Sequence, residues 1–290
     1  MSIPSPTKTY RTATYQGISP SRAELSTKGK HAFISGGGSG IGASIAQSLA
    51  KSGISSLGIL GRSVKSLEDT RAAIESLNPE TRVHLYAADL TDAEATNAAL
   101  TSFSESVGAK INILVANAAY LPDIESITDS DPSDWWRAFE ISVRGNFNLL
   151  RAFHPHASPS ASVFHISTAA IHLPHQLGYS AYRASKIAAT KMFEHFHGEN
   201  PGFFVIQVHP GLIGGTAMSE KFGSSVEALG LAYDDIELPG DFVVWTLSSE
   251  AGFLNGRLVH ANWDVEELKG LRGELERDPS RFTMGLQGWY

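Results

Sequence analysis

Seven short apolar runs, at residues 31–35, 56–60, 83–87, 111–116, 162–167, 203–208 and 257–260, punctuate the chain from Lys30 onward. Between them lie longer stretches with helical spacing of apolar residues, over 40–52, 63–77, 92–107, 132–153, 179–197 and 239–249. Runs that are apolar at nearly every position suit strands buried on both faces, and amphipathic stretches suit the helices that cover them. Strands and helices in strict alternation imply right-handed crossovers between parallel strands. The pattern predicts an α/β fold of three layers, with a doubly wound, mostly parallel seven-stranded sheet in the middle. Residues 1–28 are polar, carry Pro4, Pro6 and Pro20, and read as an irregular surface arm. One domain follows over 29–264, and a helical tail starting near Val265 fills 265–290. Within the domain, 212–237 is long for a connection, contains Gly214, Gly215, Gly223 and Gly230, and reads as a lid over a pocket.

Composition narrows the classes. A chain of 290 residues that is 42% hydrophobic can bury one sizeable core without a staple. It has no cysteine, which excludes disulfides and thiolate metal sites. The formal net charge is -7 with both signs interspersed, so the basic stripe of a nucleic-acid binder is missing. The longest apolar runs are strand-sized, far short of a membrane span, and the opening residues hold no apolar core for a secretory signal. A cytoplasmic protein, bound neither to membrane nor to nucleic acid, is expected.

The first strand runs straight into Ser35, Gly36, Gly37, Gly38, Ser39, Gly40, Ile41 and Gly42, and then a helix begins. A strand, a glycine turn and a helix start together offer backbone N–H groups and a positive helix end to a pyrophosphate. The spacing is G-x-x-x-G-x-G, with Gly36 and Gly38 also permitting part of G-x-G-x-x-G. An acid at the end of the second strand would bond a ribose 2′-hydroxyl and repel a 2′-phosphate. Here that place holds Gly61 and Arg62, and a guanidinium favours the phosphorylated dinucleotide, NADP(H).

Tyr182 and Lys186 stand four residues apart at the start of a helical stretch and so share one face. A free phenol has a pKa of about 10, and a nearby cation lowers such a value by roughly one to three. Carbonyl reduction needs that kind of proton donor near working pH. A lone Y-x-x-x-K occurs often by chance; its place after the fifth strand gives it weight.

Taken together these motifs resemble the short-chain dehydrogenase/reductase family in its single-domain form, over about residues 28–263. The resemblance implies a Rossmann fold and a nicotinamide cofactor. The glycine turn is similar to the family's T-G-x-x-x-G-x-G, with Ser35 for threonine. Asp89 and Leu90 resemble the place where an acid and the neighbouring backbone hold the adenine. Asn117, in Val115-Ala116-Asn117-Ala118-Ala119, resembles the asparagine after the fourth strand. Tyr182 and Lys186 fall where the family keeps its acid/base and its ribose-binding lysine. Pro210 and Gly211, followed by Ile213 and Thr216, resemble the segment facing the nicotinamide carboxamide. The family's carbonyl-binding serine corresponds to Thr168, favoured over the preceding Ser167. Ser142 replaces an asparagine that helps hold a water linking the lysine to solvent. The family builds its dimer face from the fourth and fifth helices, which implies a homodimer or homotetramer. The C-terminal part, from Glu237 through Trp245 to Asp264, resembles a branch common in filamentous fungi and often serving specialised metabolism.

Eleven histidines are present, but none have a zinc helix's spacing, and no metal is expected. His172, His175 and Gln176 instead lie in the loop after the fifth strand and are candidates for the substrate pocket. Trp135, Trp136, Phe139 and Phe147 follow helical spacing and read as core or subunit contact. The expected function is NADPH-dependent reduction of a ketone or aldehyde on a mid-sized, largely neutral small molecule. The departures at Ser142 and Thr168 leave two other readings: a scaffold for non-redox dehydration or cyclisation, and a cofactor-binding sensor without turnover.

Overall fold

The computed structural model describes residues 5–221 and 230–286. Seven strands form one sheet: β1 (His31–Ser35), β2 (Ser56–Gly61), β3 (Arg82–Ala87), β4 (Ile111–Ala116), β5 (Ala157–Ile166), β6 (Phe204–His209) and β7 (Leu258–His260). Their order is β3-β2-β1-β4-β5-β6-β7, and every pairing is parallel. The helices are α1 (Gly40–Lys51), α2 (Val64–Leu77), α3 (Ala93–Val107), α4 (Pro132–Phe139), α5 (Asn146–Phe153), α6 (Ser180–Glu199), α7 (Glu237–Thr246), α8 (Val265–Gly270) and α9 (Arg272–Arg277). The three-layer fold is as the hydrophobic pattern predicts.

The apolar runs are strands because both faces of the sheet are covered. Successive side chains on a strand point to opposite faces. Thus Ile34, Ile113, Val115 and Phe164 enter one core with Ile45 and Leu49 of α1 and Phe242 and Trp245 of α7. Their neighbours Phe33, Leu114 and Val163 enter the other, with Phe103 of α3 and Phe193 of α6. The order reverses between β1 and β4, so the crevice of the sheet opens beyond the carboxyl ends of these two strands.

Three predicted features differ. The stretch predicted as one helix over 132–153 is interrupted by a π-helical turn, Glu140–Gly145, between α4 and α5. Gly145 packs against Leu90, where a Cβ would lie 3.1 Å from that side chain, and Asn146 Nδ2 donates to the Ser142 carbonyl at 2.7 Å. Strand β5 starts at Ala157 rather than 162, because Ala157 pairs with Ile111 before a register shift restores pairing at Ser162. The polar Ser158-Pro159-Ser160 hides that irregular start, and Pro is tolerated there as at a bulge. Last, the N-terminal arm is not merely superficial: Ile18 and Leu25 are buried in the α1/α7 core. Tyr10 bridges to Trp263, and Arg11 pairs with Asp264 at 2.7 Å.

Candidate active site

The glycine turn leaves β1 at the sheet's reversal point. Gly36 and Gly40 have φ of +67° and +52°, a backbone that L side chains rarely adopt. A Cβ on Gly42 would lie 2.1 Å from the Gly36 carbonyl oxygen, so the turn closes only around glycine. Asn117, just past β4, braces it by donating through Nδ2 to the carbonyls of Ser35 and Gly36 at 3.2 and 3.1 Å. Ser35 is wholly buried and its hydroxyl accepts from Asn117 N and Ala118 N, tying β1 to β4. The adjoining helix start, like those of α5 and α6, has neither a side-chain cap nor an acid in its first turn. Ser63, Asp92, Asp131 and Asp264 each cap a helix through the side chain, whereas Ser39 makes no such bond and the first turn of α1 holds no acid. Unsatisfied N–H groups and an uncompensated positive end fit an anionic pyrophosphate.

The surrounding positions fall around the same crevice. Arg62 lies exposed just past β2, makes no hydrogen bond or ion pair among the described residues, and helps hold the Asp89 carboxyl low. The larger cause is local, since Asp89 Oδ1 accepts from Thr91 N at 2.9 Å. Leu90 is buried, and its carbonyl accepts from Asn148 Nδ2. On the far side, Gly211 has φ +98° and Pro210 is buried. Asp234 holds this segment by accepting from Leu212 N at 2.7 Å and Asn262 Nδ2 at 3.0 Å, and Ile213 forms a bridge with Asp234. Thr216 then reaches Gly40, where an added Cβ would lie 3.1 Å from its methyl group. The two halves of the crevice thus meet. The middle of the predicted lid, 222–229, lies outside the described residues.

Tyr182 and Lys186 occupy the first two turns of α6 and face the end of β5. Lys186 is 3% exposed, and Nζ donates to the Ile166 carbonyl at 2.7 Å. Burial pushes its pKa down to about 8. The phenol behaves differently from the expectation. Burial pushes Tyr182 up to about 12, opposed by a hydrogen bond with the Thr168 side chain. The ammonium, turned to the Ile166 carbonyl, does not lower it. Of the two hydroxyl candidates, Thr168 is the one that meets Tyr182, while Ser167 faces α6 and bonds Thr190 Oγ1 at 3.2 Å. Ser167 therefore has its hydroxyl turned away from the phenol, because successive residues at a strand end point to opposite faces.

The loop beyond Thr168 is fastened rather than free. Arg183, the neighbour of Tyr182, donates to the Pro174 carbonyl at 2.8 Å and also to that of Leu173. His172 Nε2 lies 3.1 Å from His260 Nε2. His175 and Gln176 are exposed at the loop tip. A small cavity beside Tyr182 is lined instead by Leu121, Trp135, Gly178 and Ala181 among others. Trp136 and Phe147 are 58% and 48% exposed, so within this chain they are not core.

The family profile described as short chain dehydrogenase matches residues 30–227. The chain belongs to the short-chain dehydrogenase family. It is 33% identical to the short chain dehydrogenase/reductase AacuD of Aspergillus aculeatus, over 97% of this chain and 96% of that one. It is 35% identical to a short chain dehydrogenase/reductase of Claviceps purpurea, over 98% and 95%. Among solved structures, levodione reductase superposes with a TM-score of 0.75 at 22% identity, covering 81% of this chain and 96% of that one. The 7α-hydroxysteroid dehydrogenase complexed with NADH and 7-oxo glycochenodeoxycholic acid also gives 0.75, at 21% identity over 83% and 95%. These two likenesses bear on the fold alone. Membership makes the chain an oxidoreductase of a nicotinamide-dependent kind, in a fungal branch.

Against that family pattern, Ser142 gains a neighbour that the motifs did not reveal. Both Ser142 and Asn146 are fully buried on the π turn and its exit, and Ser142 Oγ and Asn146 Oδ1 have no partner among the described residues. Where the resemblance led one to expect an asparagine, Ser142 stands, and Asn146 follows a turn later with its amide on the Ser142 carbonyl. The signal was a four-residue spacing on a helical stretch, which by itself is common. Arg183, His260 and Asp234 were missed as well. Their partners are backbone carbonyls or residues far along the chain, which no local spacing announces.

Proposed function

We propose that the protein reduces a ketone or aldehyde on a mid-sized, largely neutral small molecule, using NADPH. The observation that carries this reading is the setting of Tyr182 on α6, one helical turn from buried Lys186, whose Nζ is held by the Ile166 carbonyl, with the Thr168 side chain beside the phenol. The cofactor, when bound, supplies the hydride. Ser35, Gly36, Ser39, Gly40, Ile41 and Gly42 would hold its pyrophosphate, Asp89 and Leu90 its adenine, and Asn117 the wall beside it. Arg62 would take the 2′-phosphate, and Pro210, Gly211, Ile213 and Thr216 would border the nicotinamide. Lys186 has three N–H donors and gives one to Ile166, which leaves two for the nicotinamide ribose.

Tyr182 then donates its proton to the substrate oxygen as negative charge develops there, and Thr168 orients that oxygen. A phenol held near 12 is protonated throughout the neutral range, so it is ready as the acid, and the tyrosinate left after each transfer takes a proton back from solvent. The test is Tyr182→Phe, followed by loss of reduced-nicotinamide absorbance over a panel of ketones. A fall of about a thousandfold in kcat/KM is expected, with NADPH affinity nearly unchanged. Turnover that survives would remove Tyr182 from the mechanism.

A further inference from the structure

The carboxyl ends of the last three strands gather imidazoles that the proposed chemistry does not use. His260, at the end of β7, is fully buried. One face stacks on Trp263 at 4.4 Å, and His209 of β6 meets it edge-on at 4.7 Å. Its Nε2 lies 3.1 Å from Nε2 of His172, and its Nδ1 has no partner among the described residues. His172 is exposed, and its own Nδ1 makes no hydrogen bond among the described residues. Among the described residues no three or more His, Cys, Asp or Glu could hold a metal ion.

A bond between two Nε2 atoms needs one to carry hydrogen and the other to be bare. A proton on His260 Nδ1 would leave an orphan N–H donor in the core. A proton on Nε2 leaves only a bare acceptor at Nδ1, the smaller fault, since orphaned N–H groups are the rarer kind. His260 therefore donates and His172 accepts through Nε2. The second nitrogen of a neutral histidine then has to carry the proton, as the bond at one ring nitrogen sets the state of the other. All three rings stay neutral. Burial holds His209 near 3 and His260 lower still, and the partial covering of the His172 ring where it meets His260, with the nearby Arg183, keeps His172 below its ordinary value. His172 stands four residues past Thr168, where the turn Ala169–Ile171 ends and the Arg183 clamp begins.

We propose that the Nδ1–H of His172 is a fixed hydrogen-bond donor to a second oxygen of the substrate, and that His260 is the positioning residue that sets its tautomer. The inference rests on the carbonyl-reduction reading and narrows its substrate class. The preferred molecule is a neutral ketone bearing a further hydroxyl or carbonyl oxygen away from the reacting one. A neutral donor suits such an oxygen better than a carboxylate, which would call for imidazolium.

The tautomers are read by long-range proton–nitrogen NMR on protein labelled with nitrogen-15 histidine, first alone, then with NADPH, then with α-tetralone or its ring-hydroxylated derivatives. The expected spectrum shows His172 protonated at Nδ1 and His260 at Nε2, and at least one hydroxylated probe moves the His172 Nδ1 signal while α-tetralone does not. His172→Leu should raise KM for that probe about tenfold more than for α-tetralone, and the difference should be rescued by His172→Asn, which keeps an N–H at the δ place. His260→Leu should copy His172→Leu, and His260→Gln, which keeps an N–H at the ε reach, should resemble the parent. A proton on His172 Nε2, a signal moved by NADPH alone, or one moved by no hydroxylated probe overturns the proposal. Because tautomers are read without turnover, failure to reduce either ketone counts against the reductase reading, while the NMR still decides this one.

Discussion

The two sides of the crevice are built by different means. The proposed nucleotide side is made of backbone: a turn that closes only around glycine, an uncapped helix start, and the Asn117 amide on two carbonyls. The proposed substrate side is made of side chains reaching across the fold: Arg183 on the Leu173 and Pro174 carbonyls, His172 against His260, and Thr168 beside Tyr182. The first kind of construction tolerates almost no added atom, because a backbone cannot retract. The second tolerates exchange of one polar group for another, provided the hydrogen bond survives. Substrate choice can therefore drift while cofactor binding stays.

The comparison is broken most severely at the turn. Gly42→Ala forces a methyl group against the Gly36 oxygen, and nucleotide affinity should fall about a hundredfold by titration, in line with overpacking costs of roughly 1–3 kcal/mol. Unchanged affinity would show that the turn is looser than its contacts require. Arg62→Ala is gentler and sharper. Loss of one charge-assisted contact, worth about 1.5–3 kcal/mol, should weaken NADPH about tenfold or more and leave NADH untouched. Equal effects on both would count against the 2′-phosphate contact.

A third effect separates the phenol from the ammonium. The folded-state pKa of Lys186 is depressed to about 8, so it is charged below that pH and loses its proton above it. Ketone reduction should accordingly decline as pH rises through about 8, well before Tyr182, held near 12, deprotonates. Lys186→Arg keeps its charge and should carry the decline to higher pH at a lower overall rate. An identical alkaline limb in both proteins would place the titration elsewhere. The smallest effect is at the π turn. Asn146→Ala removes the donor to the Ser142 carbonyl, and a bond worth about 1 kcal/mol should lower Tm by roughly 2–4 °C.

The same division decides what could be read without a structure. The inner strands were legible because both-face burial makes them apolar at almost every position, whereas edge strand β3 has no buried residue and was read from its place in the alternation; the glycine turn was legible because its glycines adjoin a strand end. Tyr182 and Lys186 were legible through a spacing of one turn. Their electrostatics were not: a shared helix face suggested a lowered phenol, whereas the ammonium turns to the Ile166 carbonyl and burial dominates. Thr168 was already favoured over Ser167 by the family resemblance, but the physical reason, one side chain beside Tyr182 and the other bonded to Thr190, has no trace in the local sequence. The pairing of His172 with His260, 88 residues apart, has no local trace at all.

The central claim is that this crevice delivers a hydride from the nucleotide while Tyr182 delivers the proton. It is tested most directly by supplying NADPH deuterated at its transferable position and analysing the alcohols formed from a panel of oxygenated ketones. Deuterium should appear on the new carbinol carbon with the parent enzyme and form about a thousandfold more slowly with Tyr182→Phe. Alcohol without the label, or equal rates from the two proteins, would contradict the account.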